Sequence, residues 1–109
     1  MITIAVKTGR DAAQQIADAC EAGQPWKNNG GSMRGVPLSP LQSPPDYGIM
    51  PSDEADALRA LVRTGTVDYV IMSYATPIAW RAGGEWTKSS TRYSSTTSQH
   101  QGRLYRVGT

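Results

Sequence analysis

With 109 residues and 39% hydrophobic side chains, the chain can bury one modest core, and we expect a single domain over residues 1–109. Its single cysteine excludes an internal disulfide, and no apolar run approaches the roughly 20 residues that cross a bilayer, so we expect no membrane contact. The net charge of +2 is uneven, since residues 66–109 carry five Lys or Arg against two Asp or Glu, which favours an anionic partner for this part.

Two elements are predicted at the start of the chain. Residues 2–6 alternate and are rich in β-branched side chains, which is typical of a strand. Thr8 and Asp11 have the spacing of a capping box, so we expect a helix to begin after Thr8. Small apolar residues recur on one stripe of this helix as far as Cys20, and Gly23 is placed to end it as a C-cap glycine.

The next stretch is irregular. The glycine-rich residues 28–35 predict a turn between two short strands, with Met33 packed inward. The alternative is a loop that cradles a phosphate, but the spacing of a P-loop is missing. Five prolines follow within residues 36–51, which predicts an extended, proline-rich surface loop inside the domain.

The second half predicts one helix and then strands. Ser52 is a suitable N-cap for an amphipathic helix that Gly65 ends. Residues 67–80 are almost continuously apolar, which indicates a strand covered on both faces, with a bulge, bend or edge at Pro77. A hairpin loop at residues 81–85, a return strand at residues 85–88 and short strands near residues 92–98 and 103–107 complete the pattern. The sequence therefore predicts an α+β fold: a mostly antiparallel sheet with two short helices packed on one face.

The C-terminal third also carries a motif spread over about thirty positions. It reads Ser73-Tyr74-x-Thr76-Pro77-Ile78-Ala79-Trp80, then Trp86, then Tyr93-Ser94-x-Thr96-Thr97-Ser98-x-His100-Gln101. In this motif the chain resembles a group of short, uncharacterised proteins common in bacteriophages and other mobile elements. The resemblance implies a phage origin, and hence the host cytoplasm as the location, and it implies no catalytic role.

Residues 93–100 are the one stretch that invites a catalytic interpretation. A Ser–His nucleophilic pair needs an imidazole beside one hydroxyl and an acid to orient it, and the nearest acids in sequence are Asp68 and Glu85. We expect instead that His100 and Gln101 fix a strand end or turn through side-chain hydrogen bonds. One His and one Cys do not suffice for a zinc site, so we expect no metal, no cofactor and no enzymatic activity.

Two binding functions remain. An accessory protein of a phage would bind a host protein or itself, helped by an exposed strand edge near Pro77, and this is the function we expect. The alternative is nucleic-acid binding by a basic, aromatic sheet face. Either partner would contact the same residues: Trp80, Arg81, Trp86, Lys88, Arg92, Tyr93, His100, Arg103 and Arg106. The four aromatic residues Tyr74, Trp80, Trp86 and Tyr93 are expected to form cross-strand pairs.

Overall fold

A computed structural model describes residues 2–4 and 10–108, which form one six-stranded sheet and three helices. The strands are β1 Ile2–Ile4, β2 Trp26–Asn28, β3 Met33–Pro37, β4 Val67–Ser73, β5 Thr76–Ala82 and β6 Glu85–Lys88. The helices are α1 Arg10–Glu21, α2 Ser52–Arg63 and α3 Ser95–Gly102. None of these helices is long and apolar enough to cross a membrane.

The order of the strands in the sheet follows their order in the chain. β1 pairs with β2 in parallel, with α1 as the connection, and the other four pairings are antiparallel. The predicted α+β class with a mostly antiparallel sheet is therefore confirmed. Short connections explain three of the antiparallel pairs, because a hairpin needs only two residues whereas a parallel pair needs a longer crossover; β3 and β4 are joined through the proline-rich loop and α2.

Both faces of the sheet are covered. The side chains of β4 point alternately to the two faces, and apolar side chains are buried on each of them. Tyr69 and Ile71 pack on the face that α1 covers, which we call the α1 face. Val70 and Met72 pack on the opposite face, under α2, which we call the α2 face. The double coverage predicted for residues 67–80 is confirmed. The helices differ from expectation, since α1 and α2 lie on opposite faces, and a third helix is followed by Leu104, which packs on the α1 face.

The helix ends agree with the sequence in part. Gly23 ends α1 with a φ of 68°, and the amide of Gln24 donates to the carbonyl of Ala19, as expected of a C-cap glycine. The predicted capping box at Thr8 lies outside the described residues. Ser52 is the first residue of α2 and not its cap, because Pro51 takes the cap position and provides no side-chain hydrogen bond.

Residues 67–80 form two strands and not one. A two-residue turn at Tyr74 and Ala75 folds β5 back on β4, so that Ser73 pairs with Thr76. Pro77 lies at a shift of register in β5, which is where a strand tolerates a residue without an amide proton. The sequence hides this turn because it contains no Gly, Asn or Asp, the residues that usually adopt a positive φ there.

The two short strands predicted around the glycine-rich turn are confirmed as β2 and β3, with Met33 fully buried. Gly35 in β3 allows the side chains of Trp26 and Tyr69 to approach the backbone more closely than any other residue at this position would. A Cβ atom added there would lie 2.1 Å from Nε1 of Trp26 and 2.3 Å from the hydroxyl of Tyr69. The glycine therefore makes room for the two largest buried side chains of the α1 face.

The proline-rich loop begins after β3 and contains neither helix nor strand up to α2. It returns along the α2 face to the β4–β5 turn, where Gly48 lies against Thr76 and the amide of Ile49 donates to the Thr76 hydroxyl at 3.2 Å. Because proline cannot donate to a strand ladder, the loop attaches through a few specific contacts.

The strand predicted near residues 92–98 is wrong, and no strand forms at residues 103–107. Residues 95–102 form α3 instead, capped by Ser94, whose hydroxyl accepts from the amide of Thr97. Serine and threonine suit strands, but they also supply helix N-caps. The cap prevails here because His100, six residues after Ser94, finds a buried partner in Ser73.

Candidate functional site

The two halves of the C-terminal motif meet at a buried polar cluster. Ser73, the last residue of β4, lies 2.7 Å from Nδ1 of His100 and 3.0 Å from the hydroxyl of Thr97, both on α3. Ser73 is only 1% exposed, and Thr97 and His100 are each 6% exposed. We call these three residues the serine–histidine cluster. It joins α3 to the sheet across more than 20 residues of sequence.

The hydrogen bonds of this cluster connect its three side chains. The Ser73 hydroxyl donates to Thr97, and the tautomer of His100 that is protonated on Nδ1 completes the cluster by donating to the Ser73 oxygen. Burial lowers the pKa of His100 below its usual value, and the positive charge of Arg103 lowers it further. Neutral His100 thus acts as a hydrogen-bond donor that holds the serine in place.

This arrangement differs from that of a Ser–His nucleophile. The base would have to accept the serine proton, whereas here the serine hydroxyl is directed to Thr97 and all three side chains are buried. The two acids considered from sequence lie elsewhere: Asp68 pairs with Arg81 at 2.7 Å, and Glu85 is exposed at the end of the β5–β6 hairpin. The expected role of His100 in side-chain hydrogen bonding is confirmed, at a helix and not at a strand end.

Tyr74 lies directly above the cluster at the β4–β5 turn. Its φ is 54°, in the left-handed region, and its side chain is 55% exposed. Its amide donates to the carbonyl of Ser32 at 2.7 Å, and its ring lies 5.9 Å from the ring of His100. Ala75 and Ile49 are exposed beside it, with Ile49 at 72%. We call Tyr74, Ala75 and Ile49 the apex.

A second polar cluster ties the chain between β6 and α3 to α2. The carboxylate of Glu54 accepts hydrogen bonds from the hydroxyls of Ser89 and Thr91, and the side-chain amide of Gln101 donates to both of their carbonyls. The predicted hydrogen-bonding role of Gln101 is confirmed. Sequence reasoning missed Glu54, because a glutamate in the first turn of a helix is already explained by the helix dipole.

Three of the nine predicted contact residues come together around a cavity of about 440 Å³. Arg81 of β5, Trp86 of β6 and Arg106 line it, together with Glu21 at the end of α1. We call this cavity the arginine pocket. Arg81 forms part of its wall with a side chain that is 17% exposed.

The other predicted contact residues do not form one surface, although Trp80 and Lys88 line a second cavity beside α2. Trp80 is 4% exposed on the α2 face, and Tyr93 is half-buried against the α1 face. Lys88 and Arg92 are exposed, and Arg103 is half-buried next to α3. The predicted cross-strand aromatic pairs do not form, because β5 places Trp80 opposite Thr87. The predicted sheet face of exposed aromatic rings is therefore not present in the described residues.

Residues 14–108 match the model of a family of unknown function, DUF8033. The chain belongs to the DUF8033 family. No curated protein and no solved structure matches it. The match includes the serine–histidine cluster, the apex and the arginine pocket, so family membership covers all three and assigns an activity to none of them. Among the described residues no group of three or more His, Cys, Asp or Glu side chains is placed to hold a metal ion.

Proposed function

We propose that this DUF8033 chain acts by binding a host protein through the apex, as a non-enzymatic accessory protein of a bacteriophage. The observation that supports this proposal is the conformation of Tyr74. A left-handed backbone costs an L-amino acid about 1–2 kcal/mol, and glycine or asparagine would avoid most of that cost. Tyr74 has this left-handed conformation although its side chain remains more than half exposed.

Contacts within the described chain hold this conformation of Tyr74 but leave most of its ring exposed. The ring of Tyr74 meets only one partner ring, that of His100, and its hydroxyl makes no hydrogen bond to a described residue. Strained residues persist where the surrounding structure holds them and where function uses them. Tyrosine is also, with tryptophan and arginine, one of the residues enriched among those that contribute most to binding at protein interfaces.

The serine–histidine cluster provides that rigid support. It fixes the residue before Tyr74 to α3, while the Ser32 carbonyl fixes the Tyr74 amide itself. Holding a contact residue in its bound conformation reduces the entropy lost on binding. The motif is thus explained as a device that presents Tyr74, and Ile49 adds an aliphatic neighbour to the contact surface.

Photo-crosslinking tests the proposal directly. A benzophenone amino acid is placed at position 74 and, as a matched control, at position 105, where Tyr105 is 56% exposed. We expect a discrete adduct with a bacterial protein from position 74 only. Excess unmodified protein should compete for it, whereas the Tyr74→Asn variant should not, although asparagine tolerates the same backbone conformation.

The outcomes separate the proposal from its alternatives. An adduct between two copies of the chain would assign self-association, and a nuclease-sensitive adduct would assign nucleic acid as the partner. Equal crosslinking from both positions would refute the apex as the binding surface. Labelling of Ser73 by a fluorophosphonate above the level of a Ser73→Ala variant would refute the non-enzymatic role.

A further inference from the structure

The arginine pocket contains the guanidinium of Arg81, which is held in place while some of its N–H groups remain unused. Nε of Arg81 donates to the carboxylate of Asp68 at 2.7 Å, and Nη1 donates to the carbonyl of Cys20 at 3.1 Å. The guanidinium carbon also lies 5.6 Å from the centre of the Trp86 ring and 5.8 Å from that of Tyr69. Four contacts from different directions therefore fix its plane.

The remaining donors of Arg81 have no acceptor in the described part of the chain. A guanidinium carries five N–H groups, and the contacts above use one on Nε and one on Nη1. Nη2 makes no hydrogen bond to any described residue, and Arg81 lines the cavity. Because the side chain is largely withdrawn from water, hydrogen bonds from these donors to a ligand are stronger than those from an exposed arginine.

The other charged side chains of the arginine pocket affect the charge of the ligand that it can bind. Arg106, whose Nη1 also donates to the side-chain oxygen of Gln14 at 3.4 Å, brings a second guanidinium to the rim, whereas Asp68 is already engaged by Arg81. Glu21 is the remaining carboxylate on the wall, and it opposes an anion from the rim. Burial raises the pKa of Cys20 to about 11, so its thiol is neutral at physiological pH and offers the ligand no nucleophile.

We propose that the arginine pocket binds an oxyanion, a phosphate or carboxylate group, through Arg81 and Arg106. The planar fork of arginine matches the two oxygens of such a group, and charge-assisted hydrogen bonds of this kind are about twice as strong as neutral ones. At about 440 Å³ the cavity admits the oxyanion together with part of the molecule that carries it. The site is separate from the apex, because Arg81 lies five residues along β5 from Thr76, about 16 Å at strand spacing.

The test follows the arginine Nε–H signals by NMR while inorganic phosphate, and separately acetate, is added at constant ionic strength. We expect a saturable shift of the Arg81 signal. Arg81 itself is left unchanged, because it joins β5 to α1 and its loss would disturb the fold. Three surface variants carry the comparison instead. Arg106→Gln should weaken phosphate binding by about tenfold, Glu21→Gln should strengthen it, and Arg92→Gln, outside the pocket, should leave it unchanged.

Two further measurements complete the test. A ten-nucleotide thymidine strand that bound more than tenfold tighter than phosphate, with the same variant pattern, would show that the oxyanion belongs to a polynucleotide; equal affinity would assign a small molecule. Failure of both anions to saturate the Arg81 signal, or an equal effect of Arg92→Gln and Arg106→Gln, would overturn the site. Neither result bears on crosslinking at position 74, so the two proposals fail independently.

Discussion

Replacing Gly35 by alanine tests the packing on which the α1 face depends. The added Cβ would lie 2.1 Å from Nε1 of Trp26, 2.5 Å from its Cδ1 and 2.3 Å from the hydroxyl of Tyr69. These distances are far below van der Waals contact, so both rings must move. Both side chains are fully buried, and the Tyr69 hydroxyl donates to the carbonyl of Gln24. Neither ring can therefore move without disturbing the surrounding core or this hydrogen bond.

The magnitude follows from three contributions. Overpacking a core costs about 1–3 kcal/mol, and displacing the Tyr69 hydroxyl from its acceptor costs about 1–3 kcal/mol more. Replacing glycine by alanine recovers about 0.4–1 kcal/mol through the unfolded chain. We therefore expect a loss of about 3 kcal/mol. For 109 residues each kcal/mol lowers the melting temperature by about 4 °C, so the midpoint should fall by about 12 °C.

Thermal unfolding followed by far-UV circular dichroism measures this shift. The matched control is Gly30→Ala in the neighbouring turn, where an added Cβ meets no atom within 4 Å and the backbone needs no positive φ. It should change the midpoint by about 2 °C or less. A Gly35→Ala midpoint within about 4 °C of the wild type would refute the close approach of Trp26 and Tyr69 to β3.

Three further predictions concern the motif and the loop above it. Ser73→Ala leaves the donor on His100 without an acceptor, so it should cost about 2 kcal/mol in urea unfolding, whereas the exposed Ser95→Ala should be neutral; equal effects would contradict the cluster. Because the folded-state pKa of His100 is lowered, its contribution to the free energy of unfolding should be fully present above the unfolded-state pKa of about 6.5. That contribution should be lost as the pH drops from there towards the folded-state pKa. A His100→Gln variant that kept the same pH dependence would exclude His100 as its source. Gly48→Ala places a Cβ 2.1 Å from the Thr76 hydroxyl at a φ of +55°, so limited proteolysis within residues 39–50 should accelerate severalfold, and an unchanged rate would show that the loop does not attach there.

Local chemistry explains what was predictable from the sequence. Glycine at position 23, the apolar run in residues 67–73 and the glycine-rich turn before Met33 are each signals confined to a few residues. The α+β class, and the order of elements as far as β4, follow from such signals. The hydrogen-bonding role of His100 was also predictable, because a lone histidine among serines and threonines has few other uses.

The errors have a common physical origin, which is competition between local preferences of similar strength. Ser94 can begin a helix or belong to a strand, and the difference is decided by Ser73, which lies 21 residues earlier in the chain. The turn at Tyr74 contradicts the propensity of its own residue and is stabilised by Ser32 and His100. No pattern in the sequence around Tyr74 could reveal that support.

The sequence by itself determined that this chain folds into one mostly antiparallel sheet with helices against it, and that its C-terminal motif specifies structure. Only the tertiary structure decided which face each helix covers, that Trp80 is buried, that Arg81 and Arg106 share a cavity, and that Tyr74 is presented to solvent. The reason is that hydrophobic periodicity acts between near neighbours, whereas a site is formed by contacts between residues far apart in the chain.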